Sequence, residues 1–159
     1  MPAAISIGLP VYNGEAYLES AIDSLLQQTF SDFELIICDN CSQDRTEAIC
    51  RDRAQRDGRI RYVRNDRNIG AAANFNKTVD LAQGRYFAWA NHDDLWEAEY
   101  LQRCFETMEQ NPDAMLAYTR SEMIDAEGRF VALLKFGLGL DDSRASVRLR
   151  RLHNHGLEL

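Results

Sequence analysis

Apolar and polar positions along this chain alternate in two rhythms, one of strand length and one of helical spacing. Ile5 to Leu9 is a short apolar run that predicts a strand. Glu15 to Gln28 carries Leu18, Ile22, Leu25 and Leu26 near the period of a helix. Phe33 to Cys38 predicts the next strand. Asp44 and Glu47 have capping-box spacing, so a helix is expected from Arg45 to about Arg56, stopping before Gly58. Ile60 to Arg64 predicts a third strand, Ala71 to Gln83 a helix closed by Gly84, and Tyr86 to Ala90 a fourth, buried strand. A helix that begins after Trp96 and ends at Pro112 is followed by an expected strand over Ala114 to Thr119. The turn Asp125 to Gly128 then leads into a strand over Phe130 to Phe136. Beyond Gly137 the pattern weakens. Strands alternating with helices in this order are βαβ units, which predict an α/β fold with a Rossmann-like, mainly parallel sheet flanked by helices.

Such sheets bind ligands beyond the carboxyl ends of their strands, so polar clusters at strand ends carry the most weight. Three occur: "PVYNGE" after the first strand, "DNCSQD" after the second and "NHDD" after the fourth. The adjacent acids Asp93 and Asp94 repel one another unless a cation or donor compensates. A divalent ion is the simplest remedy, because Mg²⁺ and Mn²⁺ prefer oxygen ligands and are often shared between protein carboxylates and substrate phosphates. The plainer alternative is that one of the two caps the helix starting near Glu97. Asp39, at the end of an apolar strand, can accept from a base N–H or a ribose hydroxyl, or serve only the loop it opens. Tyr12 can stack on a base and Asn13 donate to it; an aromatic in a loop also packs for its own sake.

Composition narrows the field further. The chain has 159 residues, enough for one domain with a buried core, with 45% hydrophobic and 27% charged positions. Its net charge of −7 argues against a non-specific grip on nucleic acid, which needs many basic contacts to phosphate. The one basic cluster, Arg144, Arg148, Arg150 and Arg151, reads as a solvated helix face, with peripheral contact to anionic lipid as its second reading. No basic start and apolar core mark "MPAAISIGLP" as a secretory signal, and no apolar run spans a bilayer, so a cytoplasmic location is expected. Four cysteines are too few for a disulfide scaffold. Cys38 and Cys41 have CxxC spacing but no second ligand pair, and read as small residues at a strand end. There is no GxGxxG after the first strand, no GxxxxGK[ST] and no GxSxG. His92 beside Asp93 has no upstream histidine to complete a phosphohydrolase site, and His153 and His155 lie in the weakly patterned tail.

The segments "ISIGLPVYNGEAYLESAIDSLLQQTFSDFELIICDNCSQDRT", "RNIGAAANFNKTVDLAQGRYFAWANHDD" and "AYTRSEMIDAEGRFV", in this order, resemble the N-terminal, nucleotide-sugar-binding part of glycosyltransferase family 2, with the GT-A fold. The resemblance covers roughly Ile5 to Val131. It implies that Pro10, Val11 and Tyr12 line a base pocket, with Asp39 at the uracil or equivalent base. "NHDD" stands as the DxD element of the family, Asp93 facing ribose or metal and Asp94 the metal that bridges the diphosphate. Asn91 replaces the first acid of many members. Asn76 matches an asparagine of the family, while Phe75 stands where many members carry Arg. Residues 1–137 would form the nucleotide-sugar-binding core and 138–159 the start of an acceptor half that this chain does not complete, with the general base expected beyond Leu159. The implied reaction is a single inverting, metal-dependent transfer from a nucleoside diphosphate sugar, UDP-linked by expectation, to a hydroxyl of a glycan or lipid-linked glycan, as in polysaccharide biosynthesis. The alternative is a non-catalytic nucleotide-binding or interaction module of the same fold. A sugar nucleotidyltransferase would carry a Gly-rich, Arg-bearing loop after the first strand, and "GLPVYNGE" is not one.

Overall fold

A computed structural model describes residues 2–134 and divides the chain into two compact units at Met115/Leu116. The first unit is built on β1 (Ile5–Val11), β2 (Phe33–Asp39), β3 (Ile60–Arg64) and β4 (Tyr86–Trp89). All are parallel, in the order β3-β2-β1-β4. Between them run α1 (Leu18–Leu26), α2 (Thr46–Arg56) and α3 (Ala71–Leu81), and after β4 comes α4 (Tyr100–Gln110). Each strand and helix of this unit falls where the hydrophobic pattern places it. No helix among the described residues is long and apolar enough to cross a membrane.

Alternation along the strands sorts the two faces of the sheet. Ile5, Ile7, Leu9 and Val11 of β1 share one face with Phe33, Leu35 and Ile37 of β2. There they pack against Leu18, Ile22 and Leu25 of α1, Ile49 and Cys50 of α2, and Leu101 of α4. Burying each such aliphatic side chain stabilises the fold by about 1.5–3 kcal/mol. Gln28 locks α4 to the end of α1, its amide donating to Glu97 O at 2.8 Å and its Oε1 accepting from Leu101 N at 3.0 Å. The opposite face receives α3. A Cβ on Gly8 would clash with Thr78 Oγ1 and Cβ, so only glycine lets the helix lie this close to β1.

Three local expectations change. The pattern of Tyr86 to Ala90 predicts a buried strand, but among the described residues β4 lies at the edge of its sheet, and Trp89 is 50% exposed. The capping box does not form. Asp44 accepts from Thr46 N at 2.9 Å as expected of a cap, but Glu47 turns away to pair with Arg51 and Arg64, and Glu15 from the preceding loop bonds Arg45 N in its place. Ala114 to Thr119 is not a strand: no neighbouring strand among the described residues satisfies its main chain, and Met115 is 94% exposed. In the second unit the chain pairs instead around the Asp125 turn. There β5 (Ser121–Ile124) runs antiparallel to β6 (Phe130–Leu134), because Asp125 Oδ1 accepts from both Glu127 N and Arg129 N and Gly128 takes φ 77. The last two residues of the expected Phe130–Phe136 strand, the 137/138 division, Arg144 to Arg151, His153 and His155 lie outside the described residues.

The strand order fixes where a ligand can sit. From β1 the chain builds β2 and β3 to one side, then crosses back to place β4 on the other, so the topology reverses between β1 and β4. Open α/β sheets bind ligands in the crevice at that point, outside the carboxyl ends of the strands.

Candidate functional site

Pro10 and Val11 reach past the end of β4, which pairs with β1 only from Ile5 to Gly8. Gly8 O accepts from Ala90 N on the β4 side, and Val11 O accepts from Asn40 N on the β2 side. Pro10 shares the parity of Gly8, so its nitrogen, which carries no hydrogen, faces the level where β4 has already left the sheet. A proline is tolerated in this central strand for that reason. The crevice opens beside it.

The loops after β1 and β2 form one rim of the crevice and hold each other. Asn13 N donates to Ser42 Oγ at 2.9 Å, Gln43 N to Asn13 Oδ1 at 2.9 Å, Gly14 N to Thr46 Oγ1 at 2.9 Å, Glu15 N to Asp44 Oδ2 at 3.0 Å, and Arg45 N to Glu15 Oε2 at 2.9 Å. Asn13 at φ 52 and Cys41 at φ 65 adopt the left-handed conformation that side chains rarely take, one in each loop. Burial would raise the Asp44 carboxyl, but bonds from Thr46 and the Glu15 amide outweigh it and hold the group below its ordinary value. Tyr12 stands out from this rim, 44% exposed. The Asn13 amide nitrogen faces no partner among the described residues.

Asp39 is different from expectation in one respect: it is 0% exposed, beneath the rim rather than on it. Its Oδ1 accepts from Ser42 N at 2.8 Å, and its Oδ2 from Tyr62 Oη at 2.8 Å and Arg64 Nε at 3.1 Å. Burial, then the bond to Asp39, pushes the Tyr62 phenol upward, so it remains a donor. Arg64 also donates to Ser42 O at 2.7 Å and pairs with Glu47 at 3.1 Å. Neither Tyr62 nor Arg64 was singled out from sequence. Their signal is faint: in "RYVR" the two stand one residue apart, on one face of a strand, in register with Ile37 and Asp39. A cavity of about 510 Å³ opens beside them, lined by Glu47, Arg51, Tyr62, Arg64, Asn65 and Asp66. Its two arginines both pair with Glu47, and Asp66 adds a second acid, so it offers an anion little; topology and the acid pair point instead to the β1/β4 crevice.

Behind the rim lies a buried cluster of amides. Asn65 donates to Asn40 Oδ1 at 3.0 Å and to Asn74 Oδ1 at 2.9 Å, Asn74 donates to Cys38 O at 2.8 Å, and Asn40 also receives Ile69 N at 2.9 Å. Asn74, not Asn76, is thus the asparagine of α3 built into the fold; Asn76 is exposed on that helix. The Phe75 and Trp89 ring centroids lie 6.0 Å apart, an aromatic pair at the position the resemblance marks for Arg. The thiols of Cys38 and Cys50 are pushed up to about 11 and about 12, burial being the largest cause in each. Cys38 and Cys41 are both free; Cys38 is buried at the end of β2, while Cys41 is only partly buried in the loop that follows.

Across the crevice, Asp93 and Asp94 sit in the loop after β4, both exposed, Asp93 with 56% of its side chain. Neither caps a helix: α4 begins at Tyr100, and neither acid accepts a main-chain amide among the described residues. Asn91 donates to Asp94 Oδ2 at 2.7 Å, and His92 Nδ1 lies 4.0 Å from Asp93 Oδ1. The two loops meet where His92 lies against Gly14, whose Cβ, were there one, would come within 2.6 Å of His92 Cδ2. The acid pair therefore offers two adjacent hard oxygen donors, which suits Mg²⁺ or Mn²⁺. No cluster of three or more His, Cys, Asp and Glu forms a cage among the described residues, so an ion here would take further oxygens from a ligand.

Comparison with known proteins agrees with this arrangement. The chain is 34% identical over 131 residues to UDP-Glc:alpha-D-GlcNAc-diphosphoundecaprenol beta-1,3-glucosyltransferase of Escherichia coli, covering 80% of this chain and 51% of that protein. TarS 1-349 of S. aureus in complex with UDP-GlcNAc shares the fold with TM-score 0.63 and 21% identity over 76% of this chain and 40% of that one. The mannosyltransferase PcManGT of Pyrobaculum calidifontis, in complex with GDP-Man and Mn²⁺, does so with TM-score 0.62 and 20% identity over 68% and 33%. The chain spans about half the length, or less, of the curated relatives it matches. A parallel sheet with its crevice at the β1/β4 reversal is the GT-A arrangement, and the profile of glycosyl transferase family 2 matches residues 6–154, so the chain belongs to that family.

Proposed function

We propose that this chain forms the donor-binding part of an inverting glycosyltransferase that moves a sugar from a nucleoside diphosphate sugar, UDP-linked, to a hydroxyl of a glycan or lipid-linked glycan, with Mn²⁺ or Mg²⁺ bound. One observation carries the reading. Asp93 and Asp94 stand exposed, with no lysine or arginine partner among the described residues, on a protein of net charge −7, at the crevice where the fold admits a ligand. An anionic donor needs positive charge there, and the acids are what a divalent ion needs. The preference for uridine follows the glucosyltransferase relative; the GDP-Man held by the mannosyltransferase makes UDP against GDP the informative competition.

In this reading Pro10 and Val11 floor the crevice, Tyr12 stacks on the base, and Asn13 donates to it through its amide nitrogen. Asp39 lies beneath the base and keeps Tyr62 and Arg64 in place. Asn76 enters through the family match alone. Bound at the acids, the ion would offset charge developing on the leaving diphosphate. Asp93 and Asp94 hold and orient it, and the fixed rim holds the nucleoside. The base that takes the acceptor proton is assigned to none of the described residues. A cytoplasmic location, with Arg144 to Arg151 touching anionic lipid, goes with this reading; failure to sediment with anionic vesicles would remove the lipid contact.

Calorimetry of UDP with and without Mn²⁺, on wild type and Asp94→Ala, tests the proposal. Mn²⁺ is expected to tighten UDP in the wild type and not in the variant. Equal UDP affinity with and without the ion, or no effect of the substitution, overturns it. Turnover of a UDP-sugar then separates a transferase from a module that only binds.

A further inference from the structure

The loop carrying the acid pair is tied at its two ends and almost nowhere between. Ala90 N donates to Gly8 O at 2.9 Å, and Trp96 N to Ser24 Oγ at 3.2 Å. From Asn91 to Leu95 the main chain makes one turn, at His92 and Asp93, and no hydrogen bond to the rest of the protein among the described residues, and the side chains of Asn91 and Asp94 bond only each other. Asn91, Asp93, Asp94 and Leu95 are exposed, while His92 is partly buried.

His92 is the side chain that leaves the loop, and it lands on fixed ground. A Cβ on Gly14 would meet His92 Cδ2 at 2.6 Å and Cγ at 3.2 Å, so the imidazole lies where a side chain would otherwise be. Gly14 itself cannot shift easily. Its N–H donates to Thr46 Oγ1, its carbonyl accepts from Tyr17 N at 3.2 Å and Leu18 N at 3.1 Å, and Val11 Cγ2 closes the other side. The contact joins the two rims of the crevice directly.

We infer that His92 is a positioning residue whose ring, acting by shape, sets the distance between the Asp93–Asp94 pair and the nucleoside-side loop. The inference deepens the donor-site reading above and rests on it. A bare Gly14 is required by the same contact: any side chain there would lift the histidine and the acids with it. The ring neither ligates nor transfers a proton in this role.

Trp89 and Trp96, the two tryptophans of the chain, bracket the loop, so indole fluorescence reads its placement with no ligand present. Three variants of the full chain divide shape from chemistry: His92→Ala removes the ring, His92→Phe keeps a ring without nitrogen, and His92→Asn keeps a polar nitrogen without the ring. All three sit in an exposed loop, and thermal unfolding is expected to match wild type. Acrylamide quenching of the free protein is expected to rise in the Ala and Asn variants and return to the wild-type value in Phe. The Mn²⁺-dependent tightening of UDP is expected to fall on the order of tenfold to a hundredfold in Ala and Asn and to recover in Phe, with metal-free UDP affinity unchanged. Unchanged quenching in Ala, or recovery by Asn but not by Phe, overturns the inference. If Mn²⁺ has no effect on UDP in the wild type, the donor-site reading fails separately, and the quenching series alone decides the role of His92.

Discussion

The loops after β1 and β2 grip each other through five hydrogen bonds between side chains and main chain, two left-handed residues and a buried carboxylate beneath, whereas the loop after β4, from Asn91 to Leu95, has a single turn, one side-chain bond and one packed ring to hold it among the described residues. Both flank the same crevice. A rim set in advance loses little freedom when it receives a rigid base and ribose. A lightly held rim can adjust its carboxylates to an ion and a flexible diphosphate, at the low end of local stability where ligand-binding loops are found. In the proposed donor site, rigidity and chemistry would thus fall on opposite sides.

Substitutions on the two sides should differ in kind. The largest effect is expected at Asp39. Asp39→Ala takes from a buried position the acceptor of Ser42 N, Tyr62 Oη and Arg64 Nε, and a loss of about 2–3 kcal/mol is expected by urea unfolding, in line with leaving buried donors unsatisfied. A loss below about 0.5 kcal/mol would show that the rim does not depend on it. Asp94→Ala should do the reverse. Stability should stay within about 0.5 kcal/mol while Mn²⁺-dependent binding of UDP drops, and a large fall in unfolding midpoint would erase the contrast.

Next in size is Asn13, whose φ of 52 suits Asn or Gly. Asn13→Val is expected to cost about 1–3 kcal/mol, with Asn13→Gly closer to wild type. The smallest effect is one of pH. The Asp44 carboxyl lies below its ordinary value of 3.8, so the folded state binds its proton more weakly than the unfolded chain does. Its contribution is present in full above that value and is lost as pH falls through the lower, folded value. Stability measured from pH 6 down to pH 2 should therefore fall less steeply in Asp44→Asn than in wild type. Parallel curves would remove Asp44 from the rim.

The strands β1 to β4 and the helices between them were legible because each satisfies its own pattern locally, in apolar runs of strand length and in helical spacing; Gly84 is not what closes α3, which ends at Leu81 with Ala82 as its C-cap. The acid pair was legible for the same reason, since adjacent carboxylates at a strand end need an explanation wherever they fold. Partnership was not. Tyr62 and Arg64 reach Asp39 only through the register of two parallel strands joined by α2, and no spacing in the chain encodes that register. Asn74 and Asn76 look equivalent in "ANFN"; the facing direction of α3 separates them. Ala114 to Thr119 is as apolar as a strand, but a strand exists only with a partner, and the Asp125 turn provides one to the residues on either side of it.

Pro10 carries a consequence for how the molecule keeps itself open. A sheet edge tends to zip, each new pair bringing the next amide within reach, and β4 could in principle run on alongside β1 until the ligand had nowhere to enter. The ring of Pro10 supplies no amide on that side, so the zipper stops one rung short, and the entrance is kept by a missing hydrogen.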